Sequence, residues 1–254
     1  MTPIDRGLVE DVTPLIGNGD VDWDSFDSAA YFSNNYGELR ADDARIITIV
    51  ADFFARTMSR MPERAIDVGS GTNLYPALTM LPYAGRITLF ERAFTNRAWL
   101  EKELSEPHGS WWQFWEAISD RRPSYGPINR PLDVLRSRAA VERGNVFALP
   151  PWQYDIGTMF FVAESITTRI DEFQRATRCF VNALRPGAPF AAAFMRNSSG
   201  YVVGGQYFPA CSVDESDVSR ALAPIARNVD IETVESNDLR DGYCGMMVAT
   251  GRKK

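Results

Sequence analysis

Apolar residues between Ile46 and Met58 return every three or four positions, through Ile47, Val50, Phe53 and Phe54. That spacing predicts a helix over Asp42 to Met58 with one buried face, capped by Asp42 or Asp43 and closed by Pro62. Downstream the pattern changes to short continuous apolar runs, as in strands covered on both faces. They are Ala65 to Val68, Arg86 to Phe90, Tyr154 to Val162 and Pro189 to Met195. Helix-competent stretches follow the first three: Leu74 to Met80, Phe94 to Leu104 with Trp99 and Leu100 facing inward, and Ile170 to Leu184. The last stops at Arg185-Pro186-Gly187, a helix-exit signal. Pro131 to Glu142 reads as a short helix entering a short strand over Glu142 to Val146. At the tail, Asp214 to Arg227 is predicted helical, and Asp230 to Glu235 and Met246 to Gly251 as an antiparallel pair closing the sheet. Alternating strands and helices make the class α/β.

Two stretches stand outside this alternation. Met1 to Asp20 has scattered Pro and Gly and is expected to be a mobile lead-in. Trp23, Phe26, Tyr31, Phe32 and Tyr36 then crowd the segment from Asp22 to Arg40. It is either an amphipathic helix packing on the core or a lid aiming Tyr31 and Tyr36 at a ligand. Pro107 to Pro131 carries Trp111, Trp112, Phe114 and Trp115 before a Pro/Gly/Arg loop. So many aromatics require a partner surface: the sheet edge, a substrate or another subunit.

The first strand candidate ends abruptly in Gly69-Ser70-Gly71 before a helix. Glycines there remove the Cβ atoms that would keep a ligand off the backbone, and the helix behind directs N–H groups toward it. The next strand ends in Glu91, twenty residues beyond Gly71, where a carboxylate accepts both hydroxyls of a ribose. Leu74 occupies the place of the third glycine of a dinucleotide-binding turn. With no pyrophosphate to cradle, Asp67-x-Gly69-x-Gly71 followed by the acidic strand end fits S-adenosylmethionine better than a dinucleotide.

Composition narrows the field further. The chain has 254 residues, 45% hydrophobic and 24% charged, enough for one large α/β domain with a cap. A net charge of −6 and a pI near 5.0 disfavour non-specific attraction to nucleic acid. No apolar run approaches a bilayer span and no secretory core opens the chain, so a cytoplasmic protein with no membrane partner is expected. Cys179, Cys211 and Cys244 lie far apart and are expected to be free. With His108 the sole histidine, in a turn-like Glu106-Pro107-His108-Gly109, a histidine-based metal cluster is excluded and no metal is expected.

Four segments resemble a known family. They are Tyr31-Phe32-Ser33-Asn34-Asn35-Tyr36, Ile66-Asp67-Val68-Gly69-Ser70-Gly71, Leu184-Arg185-Pro186-Gly187 and Ser198-Ser199-Gly200-Tyr201-Val202-Val203-Gly204-Gly205-Gln206-Tyr207-Phe208. Together they resemble the small-molecule methyltransferases that include nicotinamide, phenylethanolamine and indolethylamine N-methyltransferases and thioether S-methyltransferase. The likeness runs from about Trp23 to the C-terminus, with Pro107 to Glu142 poorly matched.

The resemblance implies a Rossmann-like, seven-stranded α/β sheet of class I methyltransferase type. Residues 1–254 would form a single domain, with 1–60 an N-terminal helical lid and 61–254 the core, its aromatic-rich insertion at about 107–142. It implies S-adenosylmethionine as cofactor, S-adenosylhomocysteine as product, a small-molecule substrate and a monomer or homodimer. Tyr31, Tyr36 and Tyr75 would hold the cofactor carboxylate, with Asp67, Gly69, Ser70 and Gly71 around it. Glu91 would take the ribose and Asn96 would lie beside it. Asn145 and Val146 replace Asp-Val at the adenine edge, where the amide is expected to bond the exocyclic amine. Phe160 would face the cofactor. Tyr31 and Tyr201 would wall the reacting centre, and Glu164 is the candidate base or else a helix N-terminal carboxylate. At the end of the fifth strand, where the nicotinamide enzyme has a substrate-binding acid, stands Phe194-Met195-Arg196. Arg196 is therefore expected to read a substrate carboxylate. The expected reaction is N-methylation of an amine or heteroaromatic nitrogen. The alternatives are displacement within S-adenosylmethionine itself or a non-catalytic subunit.

Overall fold

The computed structural model describes residues 15–58, 63–235 and 244–254. Seven strands form one sheet: β1 (Arg64–Val68), β2 (Arg86–Glu91), β3 (Ala139–Arg143), β4 (Ile156–Phe160), β5 (Pro189–Met195), β8 (Ala226–Val234) and β9 (Met246–Lys253), in the order β3-β2-β1-β4-β5-β9-β8. The first five are parallel, and β9 enters antiparallel between β5 and β8, as the predicted tail pair requires. The chain runs outward from β1 to β3, then returns across β1 to β4. The crevice left at that reversal, beyond the carboxyl ends of β1 and β4, is where an open α/β sheet binds ligands.

Side chains alternate between the faces of the sheet, so each face has its own core. Ala65, Ala191 and Ala193 face α2 (Ala41–Thr57), α3 (Tyr75–Met80) and α5 (Trp111–Ser119). Ile66, Phe190, Ala192 and Phe194 face α7 (Ile170–Ala183) and α8 (Glu215–Leu222). The aromatic stretch is interior filling on the first face. Trp111, Phe114, Trp115 and Ile118 are buried, and only Trp112 is left 46% exposed. His108 is structural as well: its Nδ1 lies 2.6 Å from Glu103 Oε2, and Trp111 Nε1 donates to Glu103 Oε1 at 2.6 Å. The three cysteines are free.

Several boundaries differ from expectation, three of them for reasons the contacts show. The helix α6 (Pro131–Arg138) stops at Arg138, whose guanidinium donates to the Leu81 and Ala84 carbonyls, and Ala139 to Arg143 pair with β2. Ladder hydrogen bonds to a parallel neighbour override the helix preference of two alanines and a glutamate. Strand β4 is shorter than Tyr154 to Val162, because Tyr154 makes only an isolated bridge to Leu184 and Phe161 turns at φ 59°. The described part of the lead-in is anchored, not loose: Ile16 N–H donates to Thr168 Oγ1 and Asn18 N–H to Glu172 Oε2, both at 2.8 Å. The rest of it, and Pro62, lie outside the described residues.

Above the sheet, α1 (Ser28–Asn35) faces a hairpin of β6 (Tyr201–Val203) and β7 (Gln206–Phe208). Gly204 and Gly205 form its two-residue turn at φ 56° and 82°, the left-handed geometry that twists hairpin strands correctly. Phe26, Val203 and Phe208 form a small separate core there, with Trp23, Tyr31 and Tyr201 packed around it.

Candidate functional site

Gly69 and Gly71 sit at φ 66° and 55°, left-handed conformations that glycine adopts without strain. At Gly69 a Cβ would lie 2.5 Å from Val162, so packing against the turn after β4 demands glycine. At Gly71 a Cβ would meet only the Gly69 carbonyl oxygen, at an ordinary 3.8 Å, so there the left-handed φ rather than crowding calls for glycine. Glu91, at the end of β2, binds this turn directly: Gly71 N–H donates to its Oε2 and Ala93 N–H to its Oε1, each at 2.8 Å. Burial raises the pKa of Glu91, and these backbone donors oppose the shift.

Asp67 lies beneath the turn and does not line the cavity. Its Oδ1 accepts from Thr158 Oγ1 at 2.7 Å, while its buried Oδ2 has no hydrogen-bond partner. Burial lifts its pKa to about 7.

Gly69, Ser70, Gly71, Glu91, Asn96 and Phe160 fall along one cavity at the switch point, as do Asn145, Val146, Tyr31, Tyr36 and Tyr201. Asn96 Oδ1 accepts from Ser28 Oγ at 2.7 Å, tying α1 to the cavity wall. Asn145 Oδ1 accepts from Phe147 N–H at 3.1 Å and caps the turn Val146–Ala148. That bond orients the amide and leaves its N–H2 and a second lone pair of Oδ1 for other partners. Tyr201 donates its hydroxyl to the Ser165 carbonyl at 3.2 Å. Burial holds its phenol well above the usual range, with Tyr31 and the carboxylates of Glu164 and Glu91 adding to the shift.

A second cavity, of about 540 Å³, adjoins the first. The two share Tyr31, Tyr36, Phe161, Ser165 and Tyr201 as a common wall. Phe161 reaches it through its positive φ, a strained backbone held by its N–H bond to the Ala193 carbonyl at 2.7 Å.

Besides Asp67, three expected residues lie elsewhere. Tyr75 is fully buried and stacks on Phe114 at 5.6 Å, outside both cavities. Glu164 is also fully buried: its Oε1 accepts from Met195 N–H at 2.9 Å and Ser165 Oγ at 3.1 Å. It joins the turn after β4 to the end of β5, lines neither cavity, and does not begin a helix, since α7 starts at Ile170. The expected base is thus a strut. Arg196 Nε lies 2.9 Å from Glu215 Oε1, and Arg196 lines neither cavity. Its backbone ladder to Gly245 and Cys244 turns it toward α8, away from the expected substrate.

Sequence reasoning missed Thr72, Phe161, Ser165 and a clasp across the first cavity, in which Arg92 Nη1 donates to the Asn18 carbonyl at 2.7 Å and to its Oδ1 at 2.6 Å. Thr72, directly after the glycine turn, could have been found from the motif. A clasp joining residues 74 apart has no local signal.

The donor set fits S-adenosylmethionine. Gly71 lines the cavity, the buried Thr72 hydroxyl lining it has no partner, and Glu91 stands at the strand end.

The profile of the NNMT/PNMT/TEMT family matches residues 17–254. The chain is 27% identical to phenylethanolamine N-methyltransferase of Bos taurus over 252 residues, covering 89% of this chain and 86% of that protein. It is 26% identical to the Mus musculus enzyme over 215 residues, covering 78% and 72%. Among solved structures, N-methyltransferase NodS of Bradyrhizobium japonicum, in complex with S-adenosylhomocysteine, superposes with a TM-score of 0.55 at 10% identity, covering 90% of this chain and 93% of its own. The 1,6-didemethyltoxoflavin-N1-methyltransferase of Burkholderia thailandensis gives 0.53 at 16% identity, covering 89% and 84%. At these identities the structural likeness concerns the fold.

Proposed function

Because the chain belongs to the NNMT/PNMT/TEMT family, and is on that ground an S-adenosylmethionine-dependent small-molecule methyltransferase, we propose that its acceptor is an amine nitrogen housed in the second cavity. The observation that carries this is the common wall of Tyr31, Tyr36, Phe161, Ser165 and Tyr201 between the two cavities. When bound, S-adenosylmethionine supplies a methyl already activated by its sulfonium, so the protein contributes alignment and desolvation, worth roughly 7–11 kcal/mol when positioning is good.

Gly69, Ser70, Gly71 and Thr72 would hold the cofactor's amino-acid portion, Glu91 its ribose, and Gly144 to Val146 its base. Tyr31, Tyr36 and Tyr201 confine the acceptor from the other side. Among the described residues the common wall, where acceptor and cofactor meet, has no carboxylate and no histidine; the one carboxylate of the acceptor cavity, Asp43, lies off that wall. A hydroxyl acceptor would need such a base, whereas a neutral amine attacks through its own lone pair. The aromatic faces favour the positive charge that a nitrogen acquires, by about 0.5–2 kcal/mol for each well-placed ring. The similar curated relatives are N-methyltransferases by name, which agrees. Displacement within the cofactor would need no acceptor cavity at all, and a large one is present.

The test is a panel of small amines, thiols and alcohols assayed for S-adenosylhomocysteine release, with products identified by mass spectrometry. Methylated amines are expected; turnover confined to oxygen or sulfur acceptors would overturn the nitrogen assignment.

A further inference from the structure

The end of β5 offers the second cavity no acid, and Glu164 is walled off from it. A carboxylate arrives from another element. Helix α2 begins at Ala41, so Asp42 and Asp43 occupy its first turn, where unsatisfied backbone N–H groups favour negative charge. The two have different surroundings. Asp42 lines neither cavity: its Oδ1 accepts from Asp43 N–H at 2.9 Å and lies 3.4 Å from Arg40 Nε.

Asp43 is only 5% exposed and lines the second cavity. Its charge adds to the burial that raises the pKa of the Tyr75 hydroxyl, to which Tyr36 on the common wall also contributes. Among the described residues lining this cavity Asp43 is the sole carboxylate, with Arg40 the sole cation; the remainder are aromatic, aliphatic, hydroxyl and amide groups.

We propose that Asp43 is the specificity-determining residue of the acceptor cavity, pairing with the cationic amino group of the substrate. This rests on the amine assignment above and narrows it to acceptors that are protonated in solution. The amine gives that proton to water before its lone pair attacks, and methyl transfer returns the positive charge to the nitrogen, so the pairing holds on both sides of the step. A buried ammonium needs a paired charge to offset its desolvation, and a neutral wall cannot supply one. Tyrosine faces and hydroxyls around the pair complete a site selective for an aromatic or short aliphatic amine over a neutral heterocycle of the same shape. The acid expected at the fifth strand is thereby replaced by one on a helix more than 150 residues earlier in the chain.

The experiment compares the wild type with Asp43→Asn and Asp43→Glu, using the best amine from the panel and a neutral isostere of it. Asp43→Asn is expected to raise the KM of the amine about tenfold or more while kcat changes far less, because the contact is equal in ground and transition states. The KM of the neutral isostere stays put, and Asp43→Glu restores part of the preference. Calorimetry gives a readout without turnover: the amine should bind the S-adenosylhomocysteine-loaded wild type and lose that affinity in Asp43→Asn, while S-adenosylhomocysteine binds both equally. If Asp43→Asn raises both KM values together, its role is structural and the proposal falls. If S-adenosylhomocysteine affinity drops with it, Asp43 serves the cofactor, and the proposal falls also. A wild type that methylates no amine defeats the broader nitrogen assignment; one that methylates amines with no change in Asp43→Asn defeats only the role of Asp43.

Discussion

Single side chains decide most of the chemistry here, and two can be tested alone. Asn145 uses its carbonyl oxygen on the Phe147 amide, which leaves an N–H2 donor at the cavity end assigned to the base. An aspartate would keep the cap and add a second acceptor oxygen. Asn145→Asp is therefore expected to tighten S-adenosylhomocysteine binding by about 1 kcal/mol, the net value of one hydrogen bond. Calorimetry decides it: equal or weaker binding would mean that the amide already meets the base with an acceptor.

Glu164 bears on stability. Burial lifts its carboxyl to about 7, so the native state holds the proton more tightly than the unfolded chain does. The stability from that proton is fully present below the ordinary glutamate pKa and is lost as pH rises through about 7. Glu164→Gln keeps an acceptor for Met195 N–H and removes the cost of ionisation. Its Tm should exceed that of the wild type at pH 8, by an amount on the order of 1–3 kcal/mol of stability, and the gap should close by pH 5. Activity at pH 7 should survive within a few-fold. A thousandfold loss of kcat with the fold intact would restore Glu164 as a base.

Elements meet over the site in a way that the local pattern does not show. The segment from Trp23 to Tyr36 and the hairpin β6–β7 share one small core, with Phe208 centred 5.1 Å from Phe26, 5.6 Å from Trp23 and 5.5 Å from Tyr201. Ser25 Oγ also donates to Gln206 Oε1 at 3.0 Å. The two pieces should open and close as one lid. Hydrogen exchange should show S-adenosylhomocysteine protecting residues 18–36 and 201–208 to the same extent. Protection of the first without the second would break the pair apart. Helix α5 teaches a related lesson. Its four aromatics within five residues signal burial but not against what, and only the packing of α2 and α3 shows that three of them fill the core.

At the scale of the whole molecule, the sheet follows from what is written locally. Each strand, glycine turn and following helix is encoded within about 25 residues, where strand sterics and capping dominate. Given right-handed crossovers, those units order the parallel strands around β1 and open a crevice beside Gly69 and Glu91. The tail pair was legible because its alternation suits strands. No helix among the described residues is long and apolar enough to cross a membrane, consistent with the charge distribution.

The sequence by itself determined the α/β class, the cofactor turn and the acid twenty residues beyond it, because neighbours along the chain carry that geometry. Only the tertiary structure decided which side chains line the acceptor cavity. It turned Arg196 to Glu215, walled Glu164 behind Met195, and brought Asp43 to the second cavity. Those outcomes depend on contacts between residues distant in the chain, where the position of a charged group is set by which buried partner it meets rather than by its neighbours in sequence.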